Sequence, residues 1–364
     1  MSSTALKTIS FARGVPSFDL IPVAELKTAI IEGIEADGPG VLFYGDAAGY
    51  APLREWVAGR YGGSADRVLL TNGSLQGLAF LAEHLFASSG GRAVVEAPTY
   101  DRAILTLRRF GATVDAIELQ DDGLDVAALE AMCGSGRVPG LVYVISSFQN
   151  PGGVTTSEAK RRRIVELSAE YGFWVLEDDP YGELRFSGAS IPSMLSMDGA
   201  GRVIYSTSFT KTVAPGLRSG ALILPPELHA PLRKLALDTY IAPGHFAEAA
   251  LSSYCRAGEF DRGLERIRPL LAERCAAMAG ALATYVGERG IWTAPEGGYF
   301  FWVRLPGIDT DALLRQAAGA GVPFVAGNSC YGDGTSGRDE LRLSFASATP
   351  ADIDEGIRRL AELL

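Results

Sequence analysis

Val203-Ile-Tyr-Ser-Thr-Ser-Phe-Thr-Lys-Thr-Val-Ala-Pro-Gly-Leu-Arg-Ser-Gly220 decides how the chain is read. Val203, Ile204 and Tyr205 are strand formers. They run into the hydroxyls of Ser206, Thr207, Ser208 and Thr210, then a lone Lys211, a Pro-Gly turn and Arg218. The pattern predicts a buried strand ending in a polar loop. A lysine at such a strand end sheds its proton more readily than in water, because desolvation and the nearby Arg218 cation both disfavour its charge. A neutral amine is what condenses with an aldehyde. An isolated lysine in a loop is ordinarily solvated, so the reading depends on what precedes it.

Upstream, apolar runs and amphipathic stretches alternate. Residues 1–24 read as an extended arm, with Pro16, Pro22 and Gly14 opposing a helix. Leu26, Ile30 and Ile34 predict a helix over 23–35, broken at Gly38-Pro-Gly40. Tyr44 to Arg54 is a glycine-punctuated loop feeding a helix that runs to Tyr61. Strand, Thr71-Asn-Gly-Ser74 turn and helix follow up to Phe86. That order aims the free N–H groups of a helix start at the turn, a ready place for a phosphate. Further strands are expected at 92–98, 113–119, 140–146 and 173–178. Helices are expected at 101–110, 126–132 and 157–171. The rhythm predicts a mostly parallel sheet covered on both faces, with its site beyond the carboxyl ends of the strands.

After about residue 235 the rhythm changes. A helical tract over 247–286, interrupted near Gly258, precedes strands at 297–305, 322–325 and 341–345 and helices at 309–319 and 351–364. The fold class expected is α/β: a three-layer αβα large domain plus a smaller α+β domain. We assign 1–40 to the arm and a small-domain segment, 41–240 to the large domain and 241–364 to the small C-terminal domain.

The 364 residues exceed what one core usually carries, and the formal net charge of −10 argues against a nucleic-acid binder. Cys133, Cys255, Cys275 and Cys330 are scattered, and the three histidines have no ligand spacing, so no metal is expected. No signal-peptide core or membrane-length apolar run occurs. A cytoplasmic protein is the expectation. The Lys160–Arg163 run reads as a solvated helix face.

The strand ends carry what a pyridoxal 5'-phosphate site requires: an amine for its aldehyde, a carboxylate for its ring nitrogen, donors for its phenolic oxygen, a stacking ring and a phosphate cup. Lys211 offers the amine and Asp178 the carboxylate. Asn150 and Tyr181 offer donors, and Tyr100 offers the ring. The backbone at Gly73, Ser74 and Leu75, the hydroxyls of Ser208 and Thr210, and Arg218 offer the cup. Tyr100 and Tyr181 also suit a core, and Asp178 a helix cap.

With these residues in order, the sequence resembles the fold type I, aspartate-aminotransferase-like enzymes that use pyridoxal phosphate, in the branch containing 2-aminoadipate aminotransferase-like proteins. The resemblance spans nearly the whole chain. It rests on ten ordered fragments, among them Tyr44-Gly-Asp-Ala-Ala-Gly-Tyr50, Glu96-Ala-Pro-Thr-Tyr100, Gln149-Asn-Pro-Gly-Gly153, Glu177-Asp-Asp-Pro-Tyr181, Ser208-Phe-Thr-Lys211 and Pro295-Glu-Gly-Gly-Tyr-Phe300. It implies that Lys211 is the Schiff-base lysine and proton shuttle. It also implies that Asp178 rather than Asp179 pairs with the ring nitrogen. Arg342 would clamp the substrate carboxylate, helped by Asn150 and the Gly14 backbone. Tyr44 would reach the cofactor phosphate of a second subunit, making a homodimer with shared sites. Leu75, Thr210 and Cys330 depart from the common pattern, and Cys330 bears on specificity.

The resemblance implies transfer of an amino group from an α-amino acid to a 2-oxo acid by a ping-pong mechanism. Elimination, replacement or cyclisation with the same cofactor is the alternative. A ligand-sensing module of a transcription regulator is disfavoured, because no basic helix-turn-helix segment is present.

Overall fold

The computed structural model describes residues 7–364, so the first six residues of the expected arm lie outside the described residues. Its main sheet comprises β1 (Val68–Thr71), β2 (Gly91–Ala97), β3 (Ala112–Gln120), β4 (Gly123–Leu124), β5 (Leu141–Val144), β6 (Trp174–Asp178), β7 (Val203–Ser208) and β8 (Gly220–Ile223). Their order is β1-β8-β7-β6-β5-β2-β3-β4. Pairing is parallel from β7 through β6, β5 and β2 to β3. The β1–β8, β7–β8 and β3–β4 pairs are antiparallel.

Successive residues of β5 enter different cores, as the two-residue period of a strand requires. Leu141 and Tyr143 join the core under helices 74–86 and 101–109. Val142 and Val144 join the core under helices 126–134 and 158–171. Helices therefore cover both faces, and the three-layer αβα expectation holds.

Because β8 runs antiparallel to both β7 and β1, β1 points the same way as β7. The carboxyl ends of β1, β2, β5, β6 and β7 thus meet at one edge of the sheet. This places Gly73, Tyr100, Asn150, Asp178 and Lys211 in one neighbourhood.

A second, antiparallel sheet contains β9 (Ile291–Trp292), β10 (Phe300–Arg304), β11 (Val325–Ala326) and β12 (Glu340–Ser344), in the order β11-β12-β10-β9. The arm lies beside it: the N–H groups of Ile9 and Phe11 donate to Gly321 O and Pro323 O, and Ser344 N–H donates to Phe11 O. These bonds carry Ala12 and Gly14 across the end of β12.

Several expectations need correction. The strand expected over 322–325 is reduced to Val325–Ala326, since Pro323 has no N–H to give to a ladder. β8 and the helix Pro226–Tyr240 were not read from the sequence. The helical tract divides where expected, at Gly258, whose φ of +78° favours glycine. The Lys160–Arg163 run is not wholly solvated. Arg162 and Arg163 pair with surface carboxylates, but Arg161 is 2% exposed and ion-paired with Glu177. Among the described residues, no helix is long and apolar enough to cross a membrane.

Candidate active site

A cavity of about 280 Å³ opens at the shared strand edge. Gly14, Gly73, Ser74, Leu75, Tyr100, Asn150, Asp178, Tyr181, Ser208, Thr210, Lys211, Arg218 and Arg342 all line it. Tyr44 and Cys330, also singled out from sequence, lie outside this lining. A larger cleft of about 540 Å³ beside Trp292 and Trp302 includes none of these residues.

Lys211 follows β7 and projects into the cavity, where its Nζ donates to Gly14 O at 2.7 Å. Its own carbonyl accepts from Tyr299 OH at 2.7 Å, which fixes the loop. Burial, then the Arg342 and Arg218 cations, lower its pKa to about 8, against an opposing pull from Asp178. At neutral pH roughly one amine in ten is then unprotonated, against fewer than one in a thousand for a free lysine.

Asp178 ends β6. Its Oδ2 accepts from Tyr143 OH at 2.7 Å and its Oδ1 from Ser206 Oγ at 3.1 Å. Burial pushes its pKa up to about 6, while those two donors pull it down. A buried carboxylate at that balance is a receptor for a cationic partner. The adjacent Asp179 does not line the cavity. It accepts from Tyr205 OH and from Gly182 N–H and so braces the turn to Tyr181.

Arg342, central in β12, is held on three sides. Nη1 donates to Asn150 Oδ1 at 2.6 Å, Nη2 donates to Ala12 O at 2.7 Å, and the guanidinium stands 4.3 Å above the Phe300 ring. Its Nε–H is buried without a partner. A held arginine with donor capacity to spare suits a carboxylate. Phe300 also explains Gly14, since a Cβ there would meet its ring at 2.5 Å.

The opposite end is built from backbone. Ser74 begins the helix Ser74–Phe86, and Gly73 precedes it at φ +92°. A Cβ on Gly73 would sit 2.6 Å from Arg218 Nη2, and one on Gly220 would sit 2.5 Å from Ser74 N. Arg218 is steadied by donating to Asn72 O at 3.2 Å. Free N–H groups, the helix dipole, hydroxyls and one cation form an anion cup. Leu75 offers it no polar side chain.

Tyr44 is 75% exposed, on the loop that leads to the helix at Ala51. Leu42, Phe43 and Phe18 are also strongly exposed. Cys330 is buried, which pushes its thiol pKa up to about 11, and its carbonyl accepts from Thr99 N–H. Sequence reasoning missed Tyr143, Ile145, Pro180 and the role of Phe300. A tyrosine inside the apolar run Leu141-Val-Tyr-Val was the available signal, since a buried hydroxyl needs a partner.

Comparisons with known proteins agree with this geometry. The family model described as aminotransferase class I and II matches residues 7–360. Aromatic-amino-acid aminotransferase 1 of Thermococcus litoralis is 35% identical over 98% of this chain and 88% of its own. The 2-aminoadipate transaminase of Thermus thermophilus is 36% identical over 98% of this chain and 90% of its own. A crystal structure of Pyrococcus horikoshii kynurenine aminotransferase, in complex with PMP, KYN and KYA, superposes with a TM-score of 0.93. It is 36% identical and covers 99% of this chain and 91% of that one. The chain belongs to the class I and II aminotransferases, enzymes that move an amino group from an α-amino acid to a 2-oxo acid.

Proposed function

We propose that the cavity takes pyridoxal 5'-phosphate and that a second copy of the chain completes each site. The observation that carries the first half is the facing of three unlike groups across one cavity: a lysine of lowered pKa, a buried carboxylate and a helix start with no side chain in its way. The donor set fits the cofactor. The cup at Gly73, Ser74, Ser208, Thr210 and Arg218 suits its phosphate. Asp178 suits its ring nitrogen, Tyr100 its ring face, and Asn150 and Tyr181 its phenolic oxygen. When bound, the cofactor supplies an aldehyde for Lys211 and a ring that stores an electron pair.

The protein's own groups do the rest. The lowered pKa of Lys211 suits its Nζ to serve as the base that would take the substrate's α-proton and hold it for return. Asp178, kept anionic by Tyr143 and Ser206, would keep the ring nitrogen protonated. Arg342 would orient the substrate by its α-carboxylate, with Asn150 fixing the fork. The donor returns as a 2-oxo acid, and a second oxo acid takes the amino group in a ping-pong cycle. The relatives' names support aromatic amino acids and 2-aminoadipate as the first donors to try.

The exposed Leu42, Phe43, Tyr44 and Phe18 support a homodimer in which Tyr44 reaches the other subunit's phosphate. The four free, buried cysteines support a reducing, cytoplasmic setting. We keep the division into 1–40, 41–240 and 241–364 as the domain assignment.

The test is the visible spectrum of the purified protein given single amino acids without an oxo acid. Conversion to the amine form of the cofactor, reversed by an oxo acid, is expected. Retention of the aldehyde form with release of ammonia would favour elimination instead. A protein that takes up no pyridoxal phosphate would overturn the cofactor assignment.

A further inference from the structure

Two buried polar side chains lie behind the cavity and are not used by the chemistry above. Glu96 is 1% exposed, one residue before the end of β2, and Gln149 is fully buried in the segment after β5. Glu96 Oε2 accepts from Gln149 Nε2 at 3.0 Å and from Ile145 N–H at 3.2 Å. Gln149 Nε2 also donates to Pro98 O at 2.8 Å, and its Oε1 accepts from Gly152 N–H at 2.7 Å. The amide thus uses both of its donors and an acceptor lone pair. Its bonds join two segments that no ladder connects. One leads through Pro98 and Thr99 to Tyr100, and the other holds Asn150.

We propose that Glu96 and Gln149 form a buried latch that positions Tyr100 against Asn150, and that Glu96 serves in it as a neutral acid. The inference rests on the cofactor reading, because Tyr100 and Asn150 are the side chains assigned to the ring face and the phenolic oxygen. A stack and a hydrogen bond on one planar ring must keep their spacing to within fractions of an ångström. The β2–β5 ladder stops at Val95 and Tyr143, and β2 beyond it pairs only with β3, so the spacing between these two segments depends on side-chain bonds.

Two observations support the neutral state. Glu96 Oε1 is buried with no partner, a costly place for half of a carboxylate charge but tolerable for a neutral acid. Among the described residues no cation is in hydrogen-bond reach of Glu96, unlike buried Glu177, which has Arg161. Accordingly burial raises the Glu96 pKa to about 8, with a further push from the Asp178 charge. The titratable groups that face it are Asp178 and Tyr143. A carboxyl whose folded pKa lies above its unfolded value stabilises the fold at low pH. That stability is lost as pH rises from about 4.5 through about 8.

The test compares Glu96→Gln, Glu96→Ala and Gln149→Met with wild type, using pyridoxal phosphate as the probe. Glu96→Gln keeps an acceptor for both N–H groups and cannot ionise. It should hold cofactor affinity and the pH midpoint of the bound cofactor's visible band within about twofold and about 0.3 pH units of wild type. Glu96→Ala and Gln149→Met should each weaken affinity about tenfold and move the midpoint, and the double variant should be no worse than either alone. Additive losses, or wild-type affinity and midpoint in Glu96→Ala, would overturn the latch.

Thermal unfolding of the cofactor-free proteins tests the neutral acid separately. Between about pH 6 and pH 9, wild type should lose several degrees of Tm relative to Glu96→Gln. A constant difference would overturn that part. This arm gives its answer even if wild type takes up no cofactor, so the two readings fail separately. If Glu96→Ala does not fold, Gln149→Met and the Glu96→Gln comparison decide.

Discussion

The two ends of the cavity are suited to negative charge in opposite ways. At the Arg342 end, side chains do the work: a guanidinium fork is clamped by Asn150, Ala12 and Phe300, and each contact comes from a different part of the chain. At the Gly73 end, backbone does the work: the start of a helix is left open by two glycines, with an exposed Arg218 alongside. The first arrangement is specific because removing one atom leaves others unpaired. The second tolerates side-chain change, as Leu75 and Thr210 illustrate, provided nothing intrudes on the backbone.

The contrast breaks most visibly at Arg342. Arg342→Leu removes a buried charge and strands Asn150 Oδ1 and Ala12 O. Losing such a charge-assisted fork costs about 3–4 kcal/mol, so kcat/KM for the amino acid should fall roughly 10²–10³-fold. Cofactor affinity should fall no more than about tenfold, because the phosphate cup lies at the other end and only Asn150 is shared. Stopped-flow half-reactions together with cofactor titration check both statements. An equal loss in cofactor binding would show that the two ends are not separable.

Gly73→Ala should give the converse pattern. Residue 73 has φ +92°, and a Cβ would press on Arg218 Nη2 at 2.6 Å. Strain of about 1–3 kcal/mol, with displacement of the arginine, predicts roughly 10–100-fold weaker cofactor binding. At saturating cofactor the KM for the amino acid should stay within about twofold. Equilibrium titration of the cofactor-free protein reads the first effect and steady-state kinetics the second.

How legible each end was follows from the same contrast. The strand ends at Tyr100, Asn150, Asp178 and Lys211 could be read because unbroken apolar runs announce buried parallel strands and their polar exits are conspicuous. Gly73 and Ser74 could be read because strand, glycine turn and helix are contiguous. The supports could not. Tyr143 and Asp178 are 35 residues apart, and Glu96 and Gln149 are 53 apart. Such pairs exist only once the strand order β6-β5-β2 is known. Arg161 was misread for a related reason. Charge alone does not say which turn of a helix faces Glu177, and Arg161 finds five acceptors, four of them buried, that its neighbours in the run do not reach. β8 was missed because Gly220-Ala-Leu-Ile is too short to show a period.

Tyr143 gives the smallest effect and sharpens the comparison, since it stands between the two ends and acts only through Asp178. Tyr143→Phe keeps the ring in its core and deletes one donor. Asp178 would then rely on Ser206 alone, and its pKa, already raised to about 6, should rise further. A folded pKa above the ordinary 3.8 means that stability falls as pH climbs from that value to the folded pKa. In the variant this decline should therefore extend to higher pH than in wild type. Cofactor-free Tyr143→Phe should match wild type within about 1 kcal/mol near pH 5, where the acid is largely protonated. It should fall behind by a further ~1 kcal/mol near pH 7, about one pH unit above the wild-type pKa of about 6, where only that much of the hydrogen bond's worth has been gained. Urea unfolding at the two pH values measures the difference directly. A gap that does not change with pH would mean that Tyr143 merely fills space, and that Asp178 owes its charge to Ser206 and to whatever cation it meets in the cavity.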